Sequence, residues 1–192
     1  YSARDTEWGK KYDYRSITTP QQYSNRVPIH QYETLKPFID RIRQGEQNIL
    51  WPTDIKWFAK SSGTTSGKSK FIPVSQEALD ECHFKGGKDL LSIYCNNNPE
   101  TQIFTGKALG IGGSLYSDLP DVASFHGDVS AIIMENLPFW VELMRTPDIS
   151  IALMDKWESK IEKIAQHTIH EDVTNLSGVP SWMLLLLHHI LN

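Results

Sequence analysis

Between Ile55 and Gln76 the chain carries four lysines, Lys56, Lys60, Lys68 and Lys70, and no carboxylate. Inside that window, Ser61-Ser62-Gly63-Thr64-Thr65-Ser66-Gly67-Lys68-Ser69-Lys70 packs six hydroxyl side chains, two glycines and two ammonium groups into ten residues. These are the parts of a polyphosphate site. Glycines let backbone N–H groups turn toward an anion, hydroxyls donate to the many phosphate oxygens, and lysine supplies a compact charge.

Three arrangements share this composition. A flexible Ser/Thr/Gly linker is one. The flanks oppose it: Trp57-Phe58-Ala59 before and Phe71-Ile72-Pro73-Val74 after are strand material destined for a core, so the loop is tethered at both ends. The Walker A loop, G-x-x-x-x-G-K-[ST], is nearly met by Ser62 through Ser69, but its first glycine is Ser62. A Walker loop must also open a helix whose N-terminus helps hold the phosphates, and here an apolar strand with Pro73 comes next. The third arrangement, a hydroxyl-rich phosphate loop between two strands, fits both sides.

The elements around the loop follow from periodicity. Leu35, Phe38, Ile39 and Ile42 recur at helical spacing and predict a helix from Tyr32 to Arg43, closed by Gly45, with Pro37 early enough for its missing N–H to be tolerated. Ile49-Leu50-Trp51 and Ile55 to Ala59, separated by Pro52-Thr53-Asp54, read as strand, turn, strand. Ser75 is placed to cap a helix running toward Asn96, with Leu79, Cys82, His83, Gly86, Leu90, Ile93 and Tyr94 on one face. Gly86-Gly87 weakens it by about 1 kcal/mol per glycine, so a close neighbour or a bend is expected there. Ile103-Phe104 and Ala108-Leu109 read as strands leading to the turn Gly110-Ile111-Gly112-Gly113. Ala131 to Met144 is helical with a break at Pro138, and Trp157, Ile161, Ile164 and Thr168 stripe another helix. Short strands alternating with amphipathic helices make the class α/β.

At 192 residues, 40% hydrophobic and 22% charged, the chain is neither disordered nor low-complexity, and one core is expected. Its formal charge of −4 offers no global basic face for nucleic acid; the lysines beside Trp57 and Phe58 make too small a patch against an acidic remainder. Cys82 and Cys95, with no CxxC pair, read as reduced thiols of a cytoplasmic protein. The longest apolar run, Trp182 to Leu187, falls far short of the roughly 20 residues that span a bilayer, so no membrane partner is expected. His167 and His170, with Glu171 and Asp172 behind them, resemble a solvated helix end more than a metal site, and no metal ligand is assigned. Asp128 reads as a helix N-terminal acid. The chain opens on Tyr1 and stops after an apolar helix-like segment, and a fragment is expected.

The loop resembles that of the adenylate-forming enzymes, whose Ser/Thr-Ser-Gly-Thr/Ser-Thr/Ser-Gly core is followed by a lysine. The stretch from Lys56 to Ser75 is similar to the nucleotide-binding motif of one branch, the Gretchen Hagen family of auxin-responsive acyl acid amido synthetases and their bacterial relatives. Arg26-Val27-Pro28-Ile29 with Tyr32, Leu50-Trp51-Pro52, Gly86-Gly87-Lys88-Asp89, Leu109 to Ser114, Gly127 to Ile132 and Gly178 to Met183 resemble its recurrent blocks in order, from about Ala3 to Asn192. A bacterial-type relative is the expected source.

The resemblance implies activation of a carboxylic acid by ATP and Mg²⁺ to an acyl-adenylate, then transfer of the acyl group to an amino acid amine. Carried onto this sequence, Ser61, Ser62, Gly63, Thr64, Thr65, Ser66 and Gly67 would wrap the β- and γ-phosphates. Lys70 would be the motif's closing lysine, with Lys70 and Thr64 the catalytic donors and Lys68 without an assigned role. The helix after Ser75 and the Gly178 to Met183 segment would line the acyl-acid pocket, with Lys88 placed to neutralise a carboxylate. The resemblance further implies that the chain is the N-terminal portion of a single large domain, lacking the rest of that domain, the hinge and the C-terminal domain, and inactive alone. Transfer to a thiol, or a non-catalytic interaction protein keeping the fold, are the alternatives.

Overall fold

The computed structural model describes residues 2–61, 69–117 and 119–191. They form two compact units, Tyr1–Leu79 with Tyr116–His126, and Asp80–Leu115 with Gly127–Asn192. Two buried clusters replace the one core expected from length.

The first unit begins with helices α1 (Glu7–Lys11), α2 (Pro20–Arg26) and α3 (Tyr32–Arg43). Thr6 caps α1 by accepting from Gly9 N–H, and Thr19 caps α2, which opens on Pro20. α3 has the predicted bounds and ends at Gly45, whose φ of 98° is a left-handed conformation. Pro37 is its sixth residue, past the first turn, so the Glu33 carbonyl lacks its intrahelical donor. Ile39 and Ile42 bury against Ile49, Ile55 and Phe58. The strand expected at Ile49 to Trp51 does not form. Asn48 has a φ of 58°, and the carbonyls of Asn48 and Ile49 instead accept from Glu7 and Trp8 N–H at the start of α1, at 3.1 and 2.9 Å.

Strands β1 (Trp57–Lys60) and β2 (Phe71–Val74) are antiparallel, pairing Lys60 with Phe71 and Phe58 with Pro73. They are followed by the short helix α4 (Gln76–Ala78). The helix predicted from Ser75 has the expected cap, Ser75 Oγ accepting from Ala78 N–H, but is π-helical over Leu79–Phe84 before resuming as α5 (Lys85–Asn97). No residue of α5 is buried, and a Cβ on Gly86 or Gly87 would meet nothing within 4 Å, so no close neighbour explains the glycines.

The second unit holds β3 (Lys107–Gly110); β4 (Leu115–Ser117) and β5 (Phe125–Gly127) complete the first unit's sheet in the order β2-β1-β5-β4. Ile103-Phe104 is a turn and not a strand: Thr105 N–H donates to the Gln102 carbonyl, and the Ile103 carbonyl is taken by the side chains of Thr174 and Asn175. Then come α6 (Val129–Glu135), a 3₁₀ turn at Phe139–Leu143 beyond the predicted break at Pro138, β6 (Arg145–Thr146), α7 (Ile149–Ala152), α8 (Trp157–Thr168), β7 (Val173–Ser177) and α9 (Pro180–Leu191). β6 and β7 flank β3, both parallel to it, with helices crossing between them. Ile161, Ile164 and Ala165 of α8 and Met183 and Leu186 of α9 bury against Leu109 and Ile111. The fold class is α/β, as predicted.

Candidate functional site

β1 and β2 carry the two ends of the hydroxyl-rich loop, as the flanks require. Trp57, Phe58 and Ala59 are all buried, which anchors the near end in the first core. The loop is closed at its base: Ser61 N–H donates to the Lys70 carbonyl at 2.9 Å, and Ser61 Oγ accepts from Lys70 N–H at 3.2 Å. Ser61 and Lys70, both half-buried, are thus brought together. The Ser61 hydroxyl accepts in that bond and keeps its own proton to donate.

Antiparallel pairing alternates between hydrogen-bonded and open pairs. Because Ser61 and Lys70 exchange bonds, the next pair, Lys60 and Phe71, is open, and the backbone groups of Phe71 and Pro73 turn away from β1. β2 is an edge strand, and Pro73, lacking an N–H, occupies an outward position where none is needed. The outward groups of Phe71 meet Tyr32, the first residue of α3: Phe71 N–H donates to the phenol oxygen at 2.9 Å, and the phenol faces the Phe71 carbonyl at 3.5 Å. Lys70 Nζ lies 5.3 Å from the centre of the Tyr32 ring. From the other end of α3, the Arg43 guanidinium stacks 3.7 Å above the Phe71 ring, and His126 of β5 meets that ring edge-on.

Downstream, Glu77 of α4 accepts from Trp51 Nε1 at 3.2 Å and from Thr53 Oγ1 at 3.0 Å. Its own backbone N–H, with Thr53, Ser75 and Trp51, holds its carboxyl below the usual range. The Leu50-Trp51-Pro52 block is thereby fastened to the element that follows β2. Strand β2 after the loop, where a Walker loop would continue as helix, supports the strand-loop-strand reading. Ser62, Gly63, Thr64, Thr65, Ser66, Gly67 and Lys68 lie outside the described residues. Among the described residues no group of three or more His, Cys, Asp or Glu side chains converges as a metal site, so no Mg²⁺ ligand is assigned.

The profile of the GH3 family N-terminal domain matches residues 1–191. The chain belongs to the GH3 family. Among curated relatives, jasmonoyl–L-amino acid synthetase JAR6 of Nicotiana attenuata is 36% identical over 107 residues, 54% of this chain and 17% of that protein. Indole-3-acetic acid-amido synthetase GH3.2 of Arabidopsis thaliana is 38% identical over 77 residues, 40% of this chain and 14% of that protein. The solved GH3.15 acyl acid amido synthetase superposes with a TM-score of 0.71 at 17% identity, covering 98% of this chain and 33% of that one. The GH3 domain described here therefore has the fold of about a third of that protein, and spans a small share of the curated relatives it matches.

In the second unit of this GH3 domain, the glycine turn after β3 is built around a lysine. Lys160 of α8 is 2% exposed and donates from Nζ to the carbonyls of Gly112 and Gly113 at 2.7 and 3.0 Å. Gly113 N–H donates to Ser130 Oγ, and a Cβ on Gly113 would stand 1.9 Å from Asp128 Oδ2. Close approach explains this glycine. Asp128 does occupy the N-cap of α6, but its side chain makes no cap bond. Burial pushes the Lys160 ammonium below its ordinary pKa, against the pull of Asp128 and Asp155. The signal was present in the sequence: Lys160 stands on the apolar stripe of α8, between Trp157 and Ile164. Ser177 to Pro180 lies beside this turn, with Ile111 N–H donating to the Ser177 carbonyl. Lys88, exposed on α5, has no described contact with an acid. No helix among the described residues is long and apolar enough to cross a membrane, and both cysteines are free thiols.

Proposed function

We propose that this domain is the N-terminal portion of a longer, cytoplasmic acyl acid amido synthetase, dependent on ATP and Mg²⁺, that joins a carboxylic acid to an amino acid. The observation that carries the proposal is the closed strand-loop-strand at Ser61 to Lys70. Ser61 and Lys70, a hydroxyl residue and a cationic one, are paired at its base through the Lys70 backbone, in a stretch from Ile55 to Gln76 free of carboxylates. The names of the relatives supply the substrate classes, an acyl acid and an amino acid.

On this reading a carboxylate oxygen attacks the α-phosphorus of ATP, the bond to the β-phosphate breaks, and pyrophosphate leaves. The amine of the acceptor then attacks the acyl carbonyl, AMP leaves, and the nitrogen loses its proton. The chain's own part is the first step. Ser61, Ser62, Gly63, Thr64, Thr65, Ser66 and Gly67 donate to the β- and γ-phosphates, and Lys70 faces the charge that builds on the leaving pyrophosphate. Donors held in place before the reaction need no reorganisation during it. Mg²⁺ supplies further neutralisation of phosphate charge when bound.

The test is acid-dependent pyrophosphate exchange by the full-length protein against a panel of carboxylic acids. Lys70→Ala and Thr64→Ala are each expected to lower the exchange rate about 10²–10³-fold, the usual loss on removing one fixed donor. Wild-type rates in both variants would end the assignment. Release of acyl-amino acid amide, against acyl thioester when coenzyme A is supplied, decides the acceptor.

A further inference from the structure

Tyr32 lies 29 residues before the loop begins, yet its side chain meets both Lys70, with which the loop ends, and Phe71, with which β2 begins. At the edge of the sheet the outward N–H of Phe71 has no strand to donate to, and the Tyr32 phenol oxygen takes it at 2.9 Å. The face of the same ring stands 5.3 Å from Lys70 Nζ, within the roughly 6 Å at which an ammonium is attracted by an aromatic quadrupole. Both contacts come from one rigid side chain on the first turn of α3. α3 is itself pinned in the first core through Ile39 and Ile42, and its far end holds Phe71 through Arg43.

We infer that Tyr32 is a positioning residue for the nucleotide step: its hydroxyl fixes the backbone where the loop re-joins β2, and its ring sets the direction from which Lys70 reaches the phosphates. The inference rests on the reading of Lys70 as a phosphate ligand. Lysine has a four-carbon stem with high rotamer entropy, so a fixed ring beneath it and a fixed peptide behind it reduce what is lost on binding. The role is specific to the nucleotide. Nothing in these contacts points to the acid or to the amino acid acceptor.

The experiment compares wild type, Tyr32→Phe and Tyr32→Leu in the full-length protein. It reads ATP affinity by calorimetry, KM for ATP and for the acid in pyrophosphate exchange, and the thermal midpoint. Tyr32→Phe keeps the ring and removes the acceptor of the Phe71 N–H, and is expected to weaken ATP binding about 5–10-fold, the equivalent of one hydrogen bond, with KM for the acid unchanged. Tyr32→Leu removes the ring as well and is expected to weaken it further and to lower kcat. ATP affinity within twofold of wild type in Tyr32→Phe, or a parallel rise in both KM values with a fall in thermal midpoint, would overturn the positioning role. A wild type that binds ATP but exchanges no pyrophosphate with any acid refutes the synthetase reading, while the calorimetric comparison still decides Tyr32. A wild type that binds no ATP sinks both.

Discussion

Lys160 spends its charge on two carbonyls. An ammonium removed from water is costly unless hydrogen-bonded, and Gly112 and Gly113 supply acceptors at 2.7 and 3.0 Å. Lys160→Met keeps most of the volume and leaves both carbonyls without a donor, so it is expected to lower stability at neutral pH by about 1–3 kcal/mol. The pH dependence carries a sign. Burial depresses the folded pKa of Lys160, so between that value and the ordinary lysine range the unfolded chain binds more protons than the folded one. Stability contributed by this group therefore rises with pH through that window. Denaturant midpoints across the alkaline range should show the rise in wild type and not in Lys160→Met. Equal slopes in the two proteins would contradict the assignment. At the same scale, Ser61 and Lys70 were legible as candidate site residues from type and spacing, and the structure pairs them. Tyr32 was not, because a contact made by a distant helix with the exposed edge of a strand leaves no periodicity.

Glycines separate the helices by what surrounds them. In α1 a Cβ on Gly9 would stand 2.0 Å from the Ala3 carbonyl oxygen, a backbone atom that cannot swing aside. In α5 a Cβ on Gly86 or Gly87 would meet open space. The same substitution should then have opposite signs. Gly9→Ala is expected to destabilise the chain by about 1–3 kcal/mol through overpacking. Gly86→Ala and Gly87→Ala should each stabilise it by about 0.4–1 kcal/mol, since alanine restricts the unfolded chain and suits a helix. Urea denaturation of the three variants checks both arms, and a loss of stability in the α5 variants would mean that α5 is covered. Helices with an apolar stripe were legible: α3 and α8 begin and end as their periodicity requires. The interruption of the helix after Ser75 by a π-helical stretch was not, nor was the loss of a strand at Ile49 to Trp51, where the start of α1 takes the Asn48 and Ile49 carbonyls.

The chain matches the GH3 family N-terminal domain over residues 1–191, and its described residues bury two clusters of modest size, one around Phe58 and one around Ile164. It matches about a third of the length of the solved synthetase whose fold it shares. On the proposal made above, this chain supplies the phosphate loop and a longer protein completes the active site. The 192-residue chain alone is accordingly expected to show no acid-dependent pyrophosphate exchange at any ATP concentration, in an assay where the full-length protein exchanges readily. Turnover by the isolated chain would show that nothing beyond it is needed for adenylation. Exposed Leu90 and Ile93 on α5 and Leu184 and Leu191 on α9 show how much apolar surface these two cores leave uncovered.

Side-chain chemistry and short-range spacing were enough to determine the α/β class and to single out the Ser61 to Lys70 stretch as a candidate phosphate site, and the resemblance of its motifs was enough for the family, because donor type, glycine placement and hydrophobic period are properties of neighbours along the chain. Only the tertiary structure decided that Tyr32 and Arg43 hold the far end of that stretch, that a buried lysine shapes the glycine turn after β3, and that the core divides in two. Those outcomes depend on which distant groups meet once the backbone has folded. The free energy that selects them comes from burying and pairing groups that local sequence does not bring together.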